Sequence, residues 1–438
     1  MKGPSSQQPD VIIVGAGIMG CATALELARL NYAVRVLDAN QEAGAGSTSF
    51  SVANIRFHYS TLEGVLASWE CKHIWDHWLE YLGHRDEQGL ARLHPLGLLR
   101  LDPKDNDRRR VVLKLFDEVE VPYSELDGDN IREQFPALDL GRYGPAVPVG
   151  DANFWPPATE EVAGYLTPDC GFVSPPQLAT HNLMASAQQA GARFAFGVQV
   201  TEVVARGDRV IGVILSNGDR LEAPIVLNAA GPHSCRVNHI AGLDDDFKTV
   251  WTRPLRQEVH AVPAPANFTL EAGGVIVDDG DLSTWFRPHL DGTVLIGGTE
   301  PECDPMEWIT DADVYEPAAT LRGWEAQVFR TGQRLPGLRV MPRPTGLGAL
   351  YDATPDWIPI YDRTSLNGFY VAIGTSGNQF KNGPLVGIMM ANLINAVENG
   401  ADHDQEPVQV RGSFTGRDID LGHYSRLRSV RAGMNVLG

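Results

Sequence analysis

The pattern of apolar and polar residues near the start of the chain predicts a strand, a turn, a helix and a second strand. Residues 11–14 form an uninterrupted apolar run, as a buried strand does, and residues 21–30 follow with helical composition and no glycine or proline. Residues 33–37 (AVRVL) are predicted to form a second strand, which closes on Asp38. The glycine-rich residues 15–20 between the first strand and the helix therefore predict a tight turn.

Helical spacing returns in later segments. Residues 66–82 place tryptophans on an apolar side with charged residues opposite, so we expect these tryptophans in the core. Residues 175–191 are amphipathic and end at a glycine, residues 318–335 have helical composition, and residues 385–397 follow a glycine-rich turn. Each of these segments is predicted to be a helix.

Runs rich in β-branched and aromatic residues predict two groups of strands. The first group covers residues 198–204, 209–215 and 220–227, and the second covers residues 254–262, 274–277, 283–288 and 293–298, before a last strand at 369–373. Residues 92–165 instead alternate short apolar runs with proline and aspartate, which predicts short strands and loops. We expect the second group to form a sheet on the substrate side, in a discontinuous domain that begins near residue 85.

Composition and charge narrow the class of protein. The chain has 438 residues, of which 43% are hydrophobic and 21% charged, and this favours a globular protein of two domains. Its net charge of -19 argues against nucleic acid or an anionic membrane as a partner. No apolar run reaches the roughly 18 residues of a membrane span, and the polar first ten residues lack the apolar stretch of a secretory signal. We therefore predict a cytoplasmic protein with no membrane span.

The cysteines and histidines show no pattern of disulfides or metal ligands. The five cysteines are scattered, odd in number and without a CxxC pair: Cys21, Cys71, Cys170, Cys235 and Cys303. This distribution indicates mostly reduced thiols in the core of a cytosolic protein. The spacing of cysteine and histidine also lacks a metal-binding pattern, so we predict no metal site.

The turn after the first strand has the spacing of a dinucleotide-binding unit. Gly15 allows the tight turn, Gly17 lets the backbone approach a pyrophosphate, and Gly20 allows the helix to pack closely on the strand. The helix N-terminus offers free N–H groups to the phosphates. Asp38 is placed to accept hydrogen bonds from ribose hydroxyls, and its charge disfavours the 2′-phosphate of NADP.

Six motifs along the chain, taken together, resemble one family. They are GAGIMG at residues 15–20, GSTSFSVANIR at 46–56, VLNAAGPHS at 226–234, Arg256-Gln257, Thr354-Pro355-Asp356 and GTSGNQFK at 374–381. In this order they resemble the FAD-dependent amine and amino-acid oxidases of the D-amino-acid oxidase superfamily. The sarcosine oxidase branch, including the β-subunits of its hetero-oligomeric members, is the most similar. The resemblance covers residues 10–400.

The resemblance implies an α/β fold, with a Rossmann-like FAD/NAD(P)-binding domain and a discontinuous α+β substrate domain built on an antiparallel sheet. The predicted FAD-binding domain comprises residues 8–85, 166–245 and 336–410, the substrate-binding domain residues 86–165 and 246–335, and a C-terminal extension residues 411–438. In this arrangement the antiparallel sheet covers the flavin, and the last glycine-rich turn lies at the flavin edge.

The same resemblance implies which residues bind FAD. They are Gly15, Gly17, Ile18, Met19, Gly20, Asp38, Ser47, Thr48, Ser49, Val200, Ala230, Gly231, Gly374, Ser376, Gly377, Asn378, Gln379, Phe380 and Lys381. Relatives that attach FAD covalently use a cysteine just before Thr-Pro-Asp, where this chain has Ala349. Others use a histidine after the first βαβ unit, where residues 47–50 contain none. We therefore predict that FAD is bound noncovalently.

Arg56 and Lys381 match the two cations that grip the substrate carboxylate in monomeric sarcosine oxidases. An arginine fork suits a carboxylate, and a lysine adds a point charge. The alternative interpretation of these two residues is a pair of solvated surface cations. Arg287 is a third candidate, for which a structural ion pair is an equally good interpretation. The polar candidates for setting the protonation state of the amine are His58, Tyr59 and His289.

The reaction that the resemblance implies is the oxidation of an amino acid or N-methyl amino acid. The substrate carboxylate binds the two cations, the α-hydrogen passes as hydride to flavin N5, and the imine product hydrolyses. The acceptor of the electrons is oxygen or another compound, since residues 263–279 contain no match to the lysine that activates oxygen in monomeric sarcosine oxidases. The sequence leaves open whether the chain forms a homo- or hetero-oligomer.

Three alternatives stay open at the level of the sequence. A 2-hydroxy acid presents the same hydride and the same anionic anchor, but needs a base such as His58 or His289. A flavin subunit of a multi-subunit amine dehydrogenase would depend on partner chains. An NAD-dependent dehydrogenase is disfavoured, because no second nucleotide-binding unit is present in the sequence and the last glycine-rich turn fits a flavin.

Overall fold

Two sheets organise the molecule, and each draws its strands from segments far apart in the sequence. The computed structural model describes residues 8–104 and 106–431. In chain order the strands are β1 (Val11–Val14), β2 (Val34–Asp38), β3 (Asn54–Ile55), β4 (Arg92–Pro95), β5 (Leu98–Asp102), β6 (Ser124–Leu126), β7 (Ala163–Thr167), β8 (Gly171–Ser174), β9 (Arg193–Phe196), β10 (Val200–Arg206), β11 (Arg209–Leu215), β12 (Arg220–Glu222), β13 (Ile225–Asn228), β14 (Arg253–Pro263), β15 (Ile276–Asp279), β16 (Thr284–Pro288), β17 (Thr293–Gly298), β18 (Glu307–Trp308), β19 (Gly346–Ala353), β20 (Ile360–Arg363), β21 (Phe369–Ile373), β22 (Gln409–Arg411) and β23 (Asp418–Asp420).

The helices lie between these strands and account for most of the remaining regular structure. They are α1 (Ile18–Arg29), α2 (Leu62–Asp76), α3 (Trp78–Leu82), α4 (Asp107–Val119), α5 (Gly128–Gln134), α6 (Pro176–Gln189), α7 (Ser234–Ile240), α8 (Leu321–Arg334) and α9 (Gly383–Glu398). Short 3₁₀ turns follow at Gly231–His233, Phe380–Asn382 and Leu421–Tyr424.

The first sheet is the predicted nucleotide-binding sheet, with strand order β20-β21-β13-β1-β2-β9. Its pairs are parallel except for β20 with β21. The short β1 is buried on both faces, as strands of a parallel sheet are. Val11 and Ile13 pack against the helices α1, α6 and α9, whereas Ile12 and Val14 pack against β10 and β11 on the other face. The result is a layered α/β domain around one central sheet.

The second sheet is larger and mostly antiparallel, which confirms the predicted fold class. Its strand order is β18-β14-β17-β16-β15-β5-β7-β6, with β19 paired to β14 along eight residues. The pair β15 with β5 is parallel. Trp324 and Val328 of α8 pack on Val262, Phe286 and Ile296 of the sheet, so α8 covers one face.

The division into domains stays a prediction, although the sheets bear on it. β19 lies within residues 336–410, which the sequence assigns to the FAD-binding domain, yet it is hydrogen-bonded into the large sheet. β4, which follows the predicted boundary at residue 85, pairs instead with β8 in a small sheet that also contains β3. The chain therefore passes between the two sheets at more points than the sequence indicates.

Some predicted elements have different bounds in the structure. Residues 92–165 contain the helix α4, capped by the Asn106 side chain, where the sequence predicts strands and loops. Its apolar residues are fewer than its charged ones, and this obscured the helical period. The run 220–227 is two strands of different sheets, because Pro224 cannot donate a strand hydrogen bond. The predicted helix at 66–82 is interrupted at His77.

Several general properties follow from the described residues. No helix in the described part of the chain has the length and apolarity needed to cross a membrane. Within the same residues, no group of three or more histidine, cysteine, aspartate or glutamate side chains is placed to hold a metal ion. All the cysteines are free thiols; Cys21, Cys71 and Cys170 are buried, whereas Cys235 is exposed and Cys303 half-buried.

Candidate active site

The nucleotide-binding end of the molecule is built by close backbone contacts at two glycines. Gly15 has a φ of +110°, and a Cβ there would lie closer than 3.0 Å to the carbonyl of Ala229. A Cβ on Gly20 would come equally close to the carbonyl of Gly15. Gly17 is different, since the nearest atom to a Cβ there is the Thr48 hydroxyl oxygen at 3.4 Å. Gly15 and Gly20 are therefore required by packing, whereas the surface at Gly17 is open to a ligand.

The N-terminus of α1 has the features of a phosphate site. Gly17 is the N-cap and offers no side chain to the first amides of the helix. The Thr48 hydroxyl accepts a hydrogen bond from the Ile18 N–H at 3.3 Å, which brings the predicted segment 47–49 to this end of the helix. Met19 follows in the same buried first turn. Unpaired amides and the helix dipole favour an anion here.

The carboxylate of Asp38 closes the nucleotide-binding end at the C-terminal end of β2. One of its oxygens accepts from the Ala16 N–H at 2.6 Å, and the other accepts from the Asn40 N–H at 2.7 Å. The aspartate is thus fixed beside the turn at Gly15, where a ribose binds in dinucleotide folds. The residues present at this end therefore fit a dinucleotide cofactor.

The other predicted cofactor residues connect this end to the rest of the molecule. The Ser47 hydroxyl donates to the Leu350 carbonyl at 2.8 Å, and the Ser49 hydroxyl donates to the Gly46 carbonyl at 2.9 Å. Val200 begins β10, next to the Val198 N–H that donates to the Asp38 carbonyl. Ala230 and Gly231 follow β13, with Gly231 at a φ of +57°.

The turn at residues 374–381 is fixed by β19. Its Gly374 N–H donates to the Asp352 carboxylate at 2.6 Å, and its Ser376 N–H donates to the Asp352 carbonyl at 2.8 Å. Gly374, Ser376 and Gly377 all have positive φ, between +48° and +69°. A Cβ on Gly377 would collide with the ring of Tyr351. The turn is consequently held in one conformation against the large sheet.

A cleft lies between this turn, the segment 51–56 and the large sheet. Its lining residues come from five stretches of the chain: Ser51, Val52, Ala53, Asn54 and Arg56; Leu98; Ile276, Asp278, Trp285, Gly298 and Glu300; Tyr351 and Trp357; Ser376, Gly377, Asn378, Phe380 and Lys381. The segment that lines the cleft up to Arg56 contacts the α1 N-terminus through Thr48. It therefore connects the nucleotide-binding end to the cleft.

Arg56, Tyr59 and Lys381 meet in this region although 325 positions separate the two cations. The Lys381 ammonium donates to the Asn378 carbonyl at 2.6 Å and lies 4.9 Å from the centre of the Tyr59 ring. The Tyr59 hydroxyl donates to the same carbonyl at 3.0 Å, and the Arg56 guanidinium donates to the His58 carbonyl at 3.2 Å. Two cations consequently line one wall of the cleft.

Lys381 is buried, and this affects its charge. Burial, together with the neighbouring charge of Arg56, holds the pKa of the Lys381 ammonium well below its ordinary value. An anion bound between the two residues would favour the charged form of the lysine. The pair thus has the electrostatic character of a carboxylate site.

A tryptophan of the core fixes the backbone of this lysine. The Trp75 indole N–H donates to the Lys381 carbonyl at 2.7 Å, and its ring stacks on Phe380 and Trp78. Gln379 is held on the same side, where its amide oxygen accepts from the Tyr361 hydroxyl. The predicted core role of the tryptophans is confirmed, and in addition Trp75 positions Lys381.

His58 lies outside the lining of the cleft. Its imidazole is fully buried between Phe116 and Tyr165 and lies 3.4 Å from the Thr167 hydroxyl. Burial lowers the pKa of His58 well below its ordinary value, with Arg56 adding to the effect. The residue lies two positions after Arg56 in sequence, but its ring packs among these aromatic side chains and does not line the cleft.

Arg287 and His289 lie behind the cleft wall. The Arg287 guanidinium donates to the Asn54 side chain at 2.8 Å and the Val52 carbonyl at 2.9 Å, and stacks on Phe172 at 3.8 Å. It therefore supports the wall at Ala53, whose φ is +51°. Burial lowers the pKa of Arg287 to about 9. The Arg287 guanidinium lies 3.1 Å from Nδ1 of the half-buried His289. Their proposed role in catalysis stays a prediction.

Two acids of the cleft were not among the predicted residues. Asp278 is bound by the Arg100 guanidinium at 2.7 Å, and burial raises the pKa of the Asp278 carboxyl. Glu300 follows the end of β17 with a φ of +49°. The sequence signal for Asp278 is an acid at the end of a buried apolar run, as for Asp38. Glu300 follows the glycines that end a strand, which is a weaker signal.

Comparisons with known proteins place this chain among FAD-dependent oxidoreductases. A family model described as FAD dependent oxidoreductase matches residues 10–393. The chain is 24% identical to the sarcosine oxidase subunit beta of an Arthrobacter species, over 94% of this chain and 92% of that protein. It is 26% identical to the glycine oxidase of Pseudomonas aeruginosa, over 89% of this chain and 95% of that protein. The structure of L-proline dehydrogenase from P. horikoshii is similar with a TM-score of 0.75 at 19% identity, covering 97% of this chain and all of that one.

Proposed function

The chain belongs to the DAO family of FAD-dependent oxidoreductases, and on that premise we propose that it oxidises the C–N bond of an amino acid or N-methyl amino acid. Family membership makes it a flavoprotein enzyme that acts on amino acids or amines. The substrate class within this range is the proposal.

FAD is the cofactor, and the residues at the nucleotide-binding end fit it. Gly17, the α1 N-terminus and Thr48 would hold the pyrophosphate, and Asp38 would bind the ribose. The bound flavin supplies a ring that accepts hydride from a carbon atom. Noncovalent attachment is supported by Ala349, where some relatives have the linking cysteine. Acid precipitation should leave the yellow colour in solution, and colour in the pellet would contradict this.

The observation that carries the proposal is the pair of cations in one cleft. Arg56 and Lys381 lie on the wall next to the 374–381 turn, which family resemblance assigns to the flavin edge. A substrate carboxylate on these residues would be fixed by charge-assisted hydrogen bonds. Its α-carbon would then lie within the cleft, where orientation supplies a large part of the rate enhancement. The C–H electrons leave the carbon, and water hydrolyses the resulting imine to a carbonyl compound and an amine.

Anaerobic reduction with matched compounds tests this function. Sarcosine, glycine and L-proline carry the carboxylate; dimethylamine, methylamine and pyrrolidine are the same amines without it. We expect at least one compound of the first group to bleach the flavin absorbance and its decarboxylated match to leave it unchanged. Bleaching by glycolate, the 2-hydroxy analogue of glycine, without bleaching by any amino acid would overturn the proposal in favour of hydroxy-acid oxidation.

A second arrangement is favoured by the names of two relatives, which are called sarcosine oxidase subunit beta. In this arrangement the chain is the flavin subunit of a larger amine-oxidising complex. Bleaching of the purified chain alone by an amino acid would show that no partner is needed for the C–H step. Admission of air after reduction distinguishes oxygen from another acceptor, since fast return of the yellow colour requires reaction with oxygen.

A further inference from the structure

Glu300 is the acid of the cleft that is held in an unusual backbone conformation. β17 ends at Gly298, the Thr299 N–H donates to the Ser283 carbonyl at 3.1 Å, and Glu300 follows with a φ of +49°. A non-glycine residue in the left-handed region costs about 1 kcal/mol, and such residues concentrate at functional sites. Glu300 lines the cleft together with Arg56 and Tyr351.

The two acids of the cleft differ in how they are paired. Asp278 accepts a hydrogen bond from Arg100 at 2.7 Å through one oxygen, although Arg100 also binds Asp102, and its other oxygen is buried without a hydrogen-bond partner among the described residues. Glu300 is half-buried, and no side chain or backbone N–H of the described residues donates a hydrogen bond to its carboxylate. A carboxylate taken out of bulk water without a donor is unfavourable in the protein alone. A hydrogen-bond donor supplied by a substrate would satisfy it.

The charges around Glu300 come from each element that packs on the cleft. Arg56 and Lys381 are the cations, Asp278 and Asp304 are the acids, and Tyr351 is the neighbouring phenol. Burial raises the pKa of the Glu300 carboxyl to about 8; Arg56 opposes the rise, and Asp304 adds to it. The positive charge of a bound ammonium favours the charged form of Glu300, as Arg56 does. Burial makes the Glu300 carboxylate more basic than an exposed glutamate, and therefore a better acceptor for a proton from the ammonium.

The proposed oxidation requires that a proton leave the substrate before hydride does. An amino acid is bound from water largely as its ammonium form, which has no lone pair to stabilise the developing imine. With the carboxylate on Arg56 and Lys381, an acceptor for the ammonium proton is needed elsewhere in the cleft. On this basis, we propose that Glu300 is a catalytic residue that binds the substrate ammonium and accepts its proton. The inference rests on the proposed function.

The transfer is balanced within the protein and the substrate. One N–H bond of the ammonium breaks, an O–H bond forms on the Glu300 carboxylate, and the amine keeps its electron pair. The neutral amine is then the form from which the α-hydrogen leaves as hydride. Glu300 returns its proton to water after the product dissociates.

Other titratable groups near the cleft are less suited to this step. The His58 ring is buried among aromatic rings and does not line the cleft. Burial raises the pKa of Tyr59, and its hydroxyl already donates to Asn378, so it is a poor proton acceptor. Lys381 in its neutral form is the competing base, but it is then unavailable as a cation for the carboxylate.

The test compares Glu300→Gln with Glu302→Gln, which makes the same chemical change at an exposed position two residues away. The substrate is the amino acid that reduces the wild-type protein fastest under anaerobic conditions. At pH 7, we expect Glu300→Gln to slow flavin reduction about 100-fold. The defect should shrink by up to about tenfold per pH unit as the free amine of the substrate becomes abundant. Glu302→Gln should match the wild type at every pH.

A second readout separates proton transfer from damage to the fold. Propionate carries the carboxylate without a nitrogen, and its binding perturbs the absorbance of the flavin. We expect its Kd for Glu300→Gln to lie within threefold of the wild-type value. A loss of propionate binding equal to the loss of rate would assign Glu300 a structural role and overturn the inference.

The outcomes also separate this inference from the proposed function. If no amino acid reduces the wild-type flavin, the proposed function fails. If the wild type is reduced and Glu300→Gln follows the same pH profile at the same rate, only the role of Glu300 is refuted. In that case, if the limb of the pH profile of flavin reduction persists in Glu300→Gln and disappears in Lys381→Met, Lys381 is the group that accepts the proton.

Discussion

The nucleotide-binding end and the cleft beside the turn at residues 374–381 are built on different physical principles. At the nucleotide-binding end, one strand, one helix and the following strand supply Gly15, Gly20 and Asp38 within 24 positions, and backbone contacts determine the geometry. In the cleft, Arg56, Glu300 and Lys381 come from separate segments, and side-chain charge determines the chemistry. The comparison teaches that the first site depends on local spacing and the second on the register of two sheets.

The two regions also carry their charge differently. The α1 N-terminus attracts an anion through amides and the helix dipole, which no change of pH removes. The cleft contains groups whose pKa values are displaced by burial, namely Lys381 and Glu300. We therefore expect changes of backbone to affect the first region most, and changes of side chain or pH to affect the second.

The largest effect is expected for Gly20→Ala at the nucleotide-binding end. The added methyl would collide with the Gly15 carbonyl, which belongs to a rigid turn. The free energy of unfolding should fall by about 3 kcal/mol, and the protein should lose FAD. Thermal unfolding and the flavin-to-protein absorbance ratio measure both effects.

Gly17→Ala is the matched control for that substitution. A methyl at Gly17 meets only the Thr48 hydroxyl at 3.4 Å, so the fold should keep its melting temperature in the absence of FAD while the affinity for FAD falls. Equal melting temperatures for Gly20→Ala and the wild type would show that the close packing at Gly20 does not exist in solution.

The next largest effect is expected for Arg56→Lys in the cleft. Lysine keeps the charge but loses the planar fork that binds a carboxylate through two hydrogen bonds. The value of kcat/KM for a carboxylated amine should fall about 100-fold, which corresponds to roughly 2.7 kcal/mol. Steady-state or anaerobic rapid-reaction kinetics measure it.

Arg253→Lys is the corresponding control, because Arg253 is exposed at the start of β14 and stacks on Trp251. It should leave kcat/KM unchanged. If Arg56→Lys also keeps the wild-type kcat/KM and the preference for carboxylated over decarboxylated amines, Arg56 is not the anchor of the carboxylate.

A smaller effect is expected from pH on the binding of a nitrogen-free carboxylate such as propionate. Burial lowers the pKa of Lys381 in the free protein, and a bound anion raises it again. Between these two pKa values, binding takes up a proton, so affinity falls as pH rises, by at most about tenfold per pH unit. Titration of the flavin absorbance at several pH values measures this slope.

Lys381→Met should weaken propionate binding at low pH and remove most of the slope. Calorimetry in two buffers of different ionisation enthalpy provides an independent count of the protons taken up. A slope of the same size in Lys381→Met would assign the linked proton to another group.

The smallest effect on turnover is expected for His58→Gln. The imidazole lies among Phe116, Tyr165 and Thr167, outside the lining of the cleft. The substitution should lower the free energy of unfolding by about 1 kcal/mol while kcat stays within about threefold of the wild type. Loss of a limb of the pH profile in this variant would instead make His58 an acid or base in the reaction.

Much of the fold was predictable, because the strands of the parallel sheet are rich in β-branched and other apolar residues, and β1 and β21 are continuous apolar runs. β1, β2 and β21 lie where the sequence predicts them, and α6 and α9 differ from the prediction by only a few residues. α4 was missed, since its charged residues outnumber the apolar face formed by Val112, Phe116 and Val119. The split of residues 220–227 into β12 and β13 follows from Pro224, which has no N–H to donate within a continuous strand.

The candidate site was predictable in part. Arg56 and Lys381 were singled out by resemblance, and the structure brings both to one cleft, although their roles stay predictions. Asp278 and Glu300 were missed because nothing near them in sequence shows what they face. Their neighbours across the cleft lie in segment 51–56 and in the turn at residues 374–381, and only the packed sheets bring these together.

The sequence by itself determined the nucleotide-binding unit, through the spacing of Gly15, Gly20 and Asp38, and it indicated the fold family and the cofactor through six motifs spread over residues 15–381. The tertiary structure decided which charges share a cleft, which are paired with partners such as Arg100, and which are displaced from their ordinary pKa by burial. The physical reason is the range of the interactions. Backbone geometry is set by neighbours in sequence, whereas desolvation and charge pairing depend on every element that packs around the group.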